Sequence, residues 1–295
     1  MTDLATTPHH RSDLTEPLPR LTDATSTPTA ESRLVQVRPD LRLHVVAQGP
    51  DDAPAVVLLH GIGDSWQSYR LALPHLTRDL RVFAVTLRGH GESDRPAAGY
   101  RLADYAADVL TLLDVLDLDR VTLVGHSLGS FVAQAVAVRA ASRLDRLVLV
   151  GSSPGGVFNP VVRELVSAMF RAVTDPVDPA FAREFQSSTV GAAVPAGFFE
   201  TMVAEAQRLP ARAWREFAAQ PYDESIVAGL RSVHAPALLL WGDADTIFDH
   251  ADQAALLERL PASGLLEYPG TGHALHWEQP ERFARDLVAF VRQVR

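Results

Sequence analysis

The stretch VTLVGHSLGS, residues 121–130, decides which fold the sequence predicts. Its first four residues are apolar or β-branched, which is typical of a buried strand. Gly125 and Gly129 flank Ser127 at a distance of two residues on each side. At a sharp turn from a strand into a helix, such glycines leave room where side chains would collide, and the N-terminus of the helix can stabilise an anion. Ser127 is therefore a candidate nucleophile, with a helix N-cap as the alternative role.

Strands and helices alternate on both sides of this stretch. Continuous apolar runs predict buried strands, and segments with helical spacing separate them. Two earlier strands, joined by a turn at Arg38-Pro39-Asp40, predict a hairpin. This order is typical of a mostly parallel sheet flanked by helices. The predicted strands are LVQV (34–37), LRLHVVA (41–47), AVVLLH (55–60), RVFAVTL (81–87), RVTLVG (120–125), LDRLVLVG (144–151), APALLLWG (235–242) and GLLEYPG (264–270).

The alternation stops near Ser153 and resumes near residue 233. Residues 155–232 contain no predicted strand and are expected to form four or five short helices separated by prolines. We therefore expect an α/β core of residues 33–154 and 233–295, interrupted by a helical cap at 155–232. Residues 1–32, rich in Thr and Pro and without periodicity, are expected to form a disordered tail.

The predicted cap holds nine of the 21 aromatic residues of the chain. This enrichment favours an apolar roof over a binding site, although packing of the cap on the core would also explain it. We expect an apolar or aromatic substrate rather than a sugar or a highly charged molecule. The nine residues are Phe158, Phe170, Phe181, Phe185, Phe198, Phe199, Trp214, Phe217 and Tyr222.

Composition limits the classes of partner and chemistry. The net charge is −9, which argues against a nucleic-acid partner because phosphate binding needs a basic face. The absence of Cys excludes disulfides and thiolate catalysis. No apolar run is long enough for a membrane span, and the first residues lack the apolar segment of a secretory signal. We expect a soluble cytoplasmic protein, and the pattern does not determine its oligomeric state.

A nucleophilic serine needs a histidine base and a carboxylate that orients the base. In chain order these groups should follow Ser127 at the ends of later strands. Asp243 and Asp245 follow one such strand, and His273 follows the next. Both aspartates remain candidates by position, whereas Asp249 is better placed to cap the helix that begins nearby.

Five motifs together resemble the α/β-hydrolase-fold serine hydrolases, esterase- and lactonase-like members with a helical cap. They are LLHGIG, RGHGESD, GHSLG, WGDAD and GTGHALHWEQPERF, and the resemblance covers about residues 34–294. It implies a mostly parallel central sheet flanked by helices, with an inserted helical cap. It also implies the catalytic set Ser127, His273 and Asp245, and an oxyanion hole formed by the backbone N–H groups of Ile62 and Leu128.

Four further residues are candidate substrate contacts. Trp66 lies shortly after the predicted oxyanion loop, and His276 lies three residues after the predicted base. Phe158 and Ile247 complete the set. For each, packing in the core or at the surface is the alternative. No histidine spacing with a carboxylate suggests a metal site, and no cofactor is expected.

These observations predict hydrolysis of a carboxylic ester or lactone of an apolar substrate through an acyl-enzyme. One alternative keeps the same residues but cleaves a carbon–carbon bond in a β-diketone or ring-cleavage product. Another is a cofactor-free perhydrolase. An alternative of a different class is a ligand-binding, receptor-like member of the fold with little turnover. Serine at position 127 disfavours the relatives that use an aspartate nucleophile.

Overall fold

A computed structural model describes residues 15–17, 30–76, 80–156, 160–219 and 223–293, with only the backbone given for residues 15–17. Nine strands of this part form a single sheet. The strands are β1 (Thr15–Pro17), β2 (Glu31–Arg38), β3 (Leu41–Gln48), β4 (Ala55–Leu59), β5 (Arg81–Val85), β6 (Val121–His126), β7 (Leu144–Val150), β8 (Ala237–Gly242) and β9 (Ser263–Tyr268).

The strand order in the sheet is β1-β2-β3-β5-β4-β6-β7-β8-β9. The pairs that involve β1, β2 and β3 are antiparallel, and all others are parallel. Because the chain passes from β4 to β5 on one side and to β6 on the other, a crevice forms where the carboxyl ends of β4 and β6 meet. The predicted mostly parallel sheet and the N-terminal hairpin are confirmed.

Helices cover both faces of the sheet, which explains why the central strands are continuous apolar runs. On β4, Val57 and Leu59 belong to one buried cluster, and Val56 and Leu58 to the other. This alternation follows from the two-residue period of a strand. The helices are α1 (Leu102–Val115), α2 (Leu128–Arg139), α3 (Pro160–Arg171), α4 (Pro179–Ser188), α5 (Ala196–Arg208), α6 (Ala211–Ala218), α7 (Glu224–Gly229), α8 (His250–Arg259), α9 (Leu275–Glu278) and α10 (Pro280–Arg292).

Helices α3–α7 are inserted between β7 and β8, and the described residues of 155–232 contain no strand. Pro179 begins α4, and Pro195 and Pro210 are the N-caps of α5 and α6. Proline is favoured at the first position of a helix, as at Pro179, because an N–H there has no intrahelical acceptor. Trp214 packs edge-on against Phe170, which helps to join α6 to α3.

Polar contacts hold the inserted helices against the core. Arg208 of α5 pairs with Glu92, and the Glu216 carboxylate of α6 accepts a hydrogen bond of 2.9 Å from the Tyr100 backbone N–H. The loop that carries Glu92 and Tyr100 follows β5, so the insertion lies over the carboxyl edge of the sheet.

The N-terminal edge of the sheet begins before the expected boundary at residue 33. β2 starts at Glu31, and β1 pairs with it in antiparallel register. The other residues of the predicted tail, apart from Ala30, lie outside the described residues, as do residues 157–159 and 220–222 of the predicted cap.

Asp108 of α1 is buried and accepts two hydrogen bonds from the equally buried Arg88 guanidinium. We expect Asp108→Asn to lower the free energy of unfolding by about 3 kcal/mol or more, because it leaves a buried cation without its counter-charge. Urea unfolding followed by circular dichroism measures the change. Asp114→Asn on the same helix removes an exposed pair with Arg143 and should cost less than about 1 kcal/mol. Equal losses in the two variants would contradict this interpretation.

Candidate active site

Ser127 occupies the turn from β6 into α2 with φ of 50° and ψ of −116°. A positive φ is costly for a residue other than glycine, so this turn is a strained feature of the kind found at functional sites. A Cβ at Gly125 would lie 2.2 Å from the Gly129 carbonyl oxygen, and one at Gly129 would lie 2.3 Å from that of Leu59. Both glycines are therefore required by close backbone approach, as the sequence predicts.

His273 lies in the loop after β9, and its Nδ1 is 2.9 Å from Asp245 Oδ2. Both side chains are buried. The other Asp245 oxygen, Oδ1, accepts hydrogen bonds from the backbone N–H groups of Ile247 and Phe248. This carboxylate is thus held in one orientation, and it favours the tautomer with a proton on His273 Nδ1, which leaves Nε2 as the acceptor.

The structure distinguishes between the two aspartates that follow β8. Asp245 contacts His273, whereas Asp243 is exposed and accepts a hydrogen bond from the Gly270 backbone N–H. Asp249 caps α8 by accepting hydrogen bonds from two backbone N–H groups of its first turn. Of the three carboxylates, only Asp245 is placed to orient the histidine.

The two predicted oxyanion-hole residues lie on neighbouring segments, the loop after β4 and the start of α2, and a hydrogen bond joins these segments. Ile62 follows β4 and lines the same cavity as Ser127, and Leu128 is the first residue of α2. The Gly129 N–H donates to the His60 carbonyl at 3.0 Å and ties the two loops together. In the part of the chain that the structure describes, neither the Ile62 nor the Leu128 N–H is engaged by a hydrogen-bond acceptor. Both can therefore serve a ligand.

A cavity with about 510 Å³ of empty space, its mouth included, lies above Ser127. Its wall is mainly aromatic and aliphatic, and both the core and the inserted helices contribute to it. Of the predicted substrate contacts, Ile247 lines it. The lining residues are Gly61, Ile62, Asp64, His126, Ser127, Phe131, Val166, Phe170, Phe185, Gln186, Thr189, Phe217, Ile247, Phe248, His273 and Trp277.

Two predicted substrate contacts lie elsewhere, and the expectation for them is wrong for this cavity. Trp66 is not among the described lining residues; it packs in the core, with its ring edge-on to His44. His276 is fully buried behind the site, where its Nε2 lies 3.0 Å from Ser68 Oγ, and burial lowers its pKa to about 3. Phe158 lies outside the described residues.

Four polar residues of the cavity wall, Asp64, His126, Gln186 and Thr189, were not predicted as substrate contacts. His126 directly precedes Ser127 in the GHSLG motif, so its position was an available signal. Asp64 directly follows the HGIG motif, so its position after the predicted oxyanion loop was an available signal. Gln186 lies within α4, and nothing in the local pattern of that helix distinguishes it. Only the packing of α4 over the sheet brings it to the cavity.

A family model described as the alpha/beta hydrolase fold matches residues 54–280. The chain belongs to the α/β-hydrolase fold family. This membership and the observed sheet confirm both the resemblance and the predicted fold class. Among the described residues of this α/β-hydrolase, no group of three or more His, Asp or Glu side chains could hold a metal ion. No described helix is long and apolar enough to cross a membrane.

The relatives of this α/β-hydrolase differ in the reactions that their names state. The chain is 32% identical over 272 residues to the non-heme chloroperoxidase of Streptomyces lividans. That alignment covers 83% of this chain and 94% of the Streptomyces protein. It is similar in structure to an esterase from Exiguobacterium antarcticum, with a TM-score of 0.80 and 22% identity over 88% of this chain and 99% of that chain. It is also similar to the 2-hydroxy-6-oxo-6-phenylhexa-2,4-dienoate hydrolase of Rhodococcus sp. strain RHA1, with a TM-score of 0.78 and 23% identity over 90% of this chain and 100% of that chain.

Local similarity is higher to an uncharacterised protein of Mycobacterium tuberculosis, with 47% identity over 74 residues. That alignment covers 25% of this chain and only 22% of the mycobacterial protein. The comparisons therefore show the family. They do not identify the bond that is cleaved, which has to be inferred from the chemistry of the site.

Proposed function

We propose that the protein is a serine hydrolase that cleaves a carboxylic ester or lactone of a small apolar substrate. The observation that carries the proposal is the His273–Asp245 hydrogen bond, beside a serine on a strained turn, with Ser127 and His273 in the wall of one apolar cavity. A nucleophile, a base and an orienting acid are the groups that acyl transfer requires.

In the proposed mechanism, Ser127 Oγ attacks the substrate carbonyl while His273 Nε2 takes its proton. The N–H groups of Ile62 and Leu128 hold the resulting oxyanion. His273 then returns the proton to the departing alkoxide, which leaves Ser127 acylated. A water molecule, deprotonated by His273, attacks the acyl-enzyme. Collapse of the intermediate releases the carboxylic acid while His273 returns the proton to Ser127 Oγ. Asp245 holds the imidazole in place and stabilises its charged form.

The apolar wall predicts a preference for longer acyl groups. We expect kcat/KM for p-nitrophenyl hexanoate to exceed that for the acetate by about tenfold or more, because each buried methylene contributes up to about 0.8 kcal/mol. Spectrophotometric assays with purified protein measure the ratio. Phe170→Ala should lower the ratio, whereas Phe199→Ala, in a residue that does not line the cavity, should leave it unchanged. A preference for acetate would contradict an apolar acyl pocket.

Carbon–carbon bond hydrolysis is the first alternative. The Rhodococcus neighbour acts, by its name, on a dienoate, which is an anion. This chain contains no Lys, and no Arg is among the described residues that line the cavity. An anionic substrate would therefore lack a counter-charge, which favours the ester. Assays of a vinylogous diketone against an aryl ester distinguish the two reactions.

Perhydrolysis is the second candidate, and the similarity to the Streptomyces lividans chloroperoxidase favours it. Hydrogen peroxide, in place of water, would attack the Ser127 acyl-enzyme and release a peracid while the serine regains its proton. Peracid formation from acetate ester and peroxide, compared between wild type and Ser127→Ala, tests this reaction.

A further inference from the structure

Three polar side chains besides Ser127, His273 and Thr189 lie together in the mainly apolar cavity above the nucleophile. Asp64 comes from the loop after β4, His126 from the end of β6 and Gln186 from α4. Asp64 and His126 are each 2% exposed, and Gln186 is fully buried. The proposed acyl-transfer mechanism uses none of them.

Their hydrogen bonds leave several polar atoms without a partner. Gln186 Nε2 donates to Asp64 Oδ1 at 3.1 Å and to the Met202 carbonyl at 3.3 Å. Because both partners are acceptors, they must face the NH₂ group, which determines the orientation of the amide. The amide oxygen, Oε1, then faces neither of these partners. Gln186 Oε1 is buried with no partner in the described structure. Asp64 Oδ2 accepts a hydrogen bond from Ser68 Oγ, and the Gly61 backbone N–H also stabilises the carboxylate. Because a carboxylate offers about four acceptor positions, about one remains free.

Neither ring nitrogen of His126 makes a well-aligned hydrogen bond among the described residues, and the His273 backbone also interacts with the ring. Burial lowers the pKa of His126 well below its ordinary value, and His276 and His273 lower it further. The ring is therefore neutral, with one N–H donor and one acceptor nitrogen. Its Nδ1 lies 3.8 Å from Asp64 Oδ2.

No cation balances Asp64 in the described part of the chain. Burial raises the pKa of this carboxyl to about 7, and the Glu205 carboxylate also raises it, against the lowering effect of the hydrogen bonds from Gln186, Ser68 and the Gly61 backbone. Carboxylates of a ligand would meet a like charge here. A group that donates a hydrogen bond would find free acceptors on both Asp64 and Gln186.

Gln186 Oε1 and the two ring nitrogens of His126 are buried polar atoms without partners, and both residues line the cavity that holds the nucleophile. A ligand that gives these atoms hydrogen-bond partners would be favoured there, because an unsatisfied buried polar atom is destabilising. We propose that Asp64, His126 and Gln186 form a polar subsite that binds a hydroxyl group of the substrate. The hydroxyl donates to Gln186 Oε1 or Asp64 and accepts from the His126 N–H. The expected substrate is therefore an apolar ester that carries a hydroxyl group. This inference rests on the proposed ester hydrolysis.

Matched p-nitrophenyl esters test the subsite. A series of ω-hydroxyacyl esters of four to eight carbons is compared with esters in which methyl replaces the hydroxyl. At the best chain length we expect the hydroxy ester to have a kcat/KM about tenfold higher. Gln186→Leu should remove this preference, whereas Gln207→Leu, in a residue of α5 that does not line the cavity, should retain it. The ω-carboxyacyl ester should be the poorest substrate.

Each outcome bears on one hypothesis. If the methyl esters are preferred at every length while hydrolysis still depends on Ser127, the subsite is wrong and the ester hydrolase stands. A preference for ω-aminoacyl esters would replace the hydroxyl with an ammonium group and overturn the proposal. If no ester is hydrolysed, the proposed function fails, and calorimetric titration of the wild type with methyl ω-hydroxyhexanoate and methyl heptanoate still tests the subsite. Tighter binding of the heptanoate would refute it.

Discussion

Replacing Ser127 with alanine is expected to abolish ester hydrolysis, with a fall in kcat/KM of about 10⁴-fold or more. The hydroxyl forms the acyl-enzyme, and without it only substrate binding and oxyanion stabilisation remain. The fold should persist, because the turn is held by the backbone: the residue 127 N–H donates to the Val150 carbonyl, and two flanking glycines allow the close approach. Assays on p-nitrophenyl hexanoate, with thermal unfolding as a check on the fold, measure both effects.

Ser188→Ala is the matched control, since the hydroxyl of this exposed serine at the end of α4 donates to the Phe185 carbonyl, and the variant should keep wild-type turnover. A fluorophosphonate probe adds a direct measurement of nucleophile activation. It should label the wild type at Ser127 and leave Ser127→Ala unlabelled. Turnover of wild-type magnitude in Ser127→Ala would refute the mechanism, and a wild type that the probe does not label would favour the receptor-like alternative.

Asp245→Asn is expected to lower kcat by about 10⁴-fold while the geometry is preserved. Two backbone N–H groups, those of Ile247 and Phe248, donate to Asp245 Oδ1. In the variant they keep the amide oxygen on their side, so the new NH₂ group faces His273 Nδ1. That contact favours the tautomer with the proton on Nε2, which can no longer accept the proton of Ser127. Steady-state kinetics across a pH series measure the loss.

Asp243→Asn is the control for this prediction, because Asp243 is an exposed carboxylate of the same loop that accepts from the Gly270 N–H and does not contact His273. We expect its activity to stay within about threefold of the wild type, since the site geometry is unaffected. If Asp243→Asn lost activity and Asp245→Asn kept it, the assignment of the orienting acid would be wrong.

Much of the fold could be predicted because it depends on short-range patterns. Continuous apolar runs identified the strands that are buried on both faces, and the two-residue period of β4 divides its side chains between two clusters. The turn at Ser127 was predictable for a similar reason, since the collisions that require Gly125 and Gly129 involve backbone that is close in sequence or directly adjacent in the sheet.

The cavity wall could not be predicted to the same depth. Trp66 and His276 lie near catalytic motifs in the sequence, yet both pack away from the cavity. Gln186, by contrast, lies 122 residues from Asp64 in the sequence and hydrogen-bonds to it. Sequence distance therefore did not indicate which side chains meet, because the orientation of the inserted helices over the sheet decides it.

By itself, the sequence determined the strand order along the chain, the sharp turn at Ser127 and the order of the three candidate catalytic residues. Those features follow from local periodicity, from glycine sterics and from the rule that parallel strands present their carboxyl ends at one edge. The family resemblance already implied Asp245, and the structure places its carboxylate against His273. Only the tertiary structure decided that Asp64, His126 and Gln186 share the cavity. These contacts join residues far apart in the chain, so they are set by how loops and helices pack and not by any local pattern.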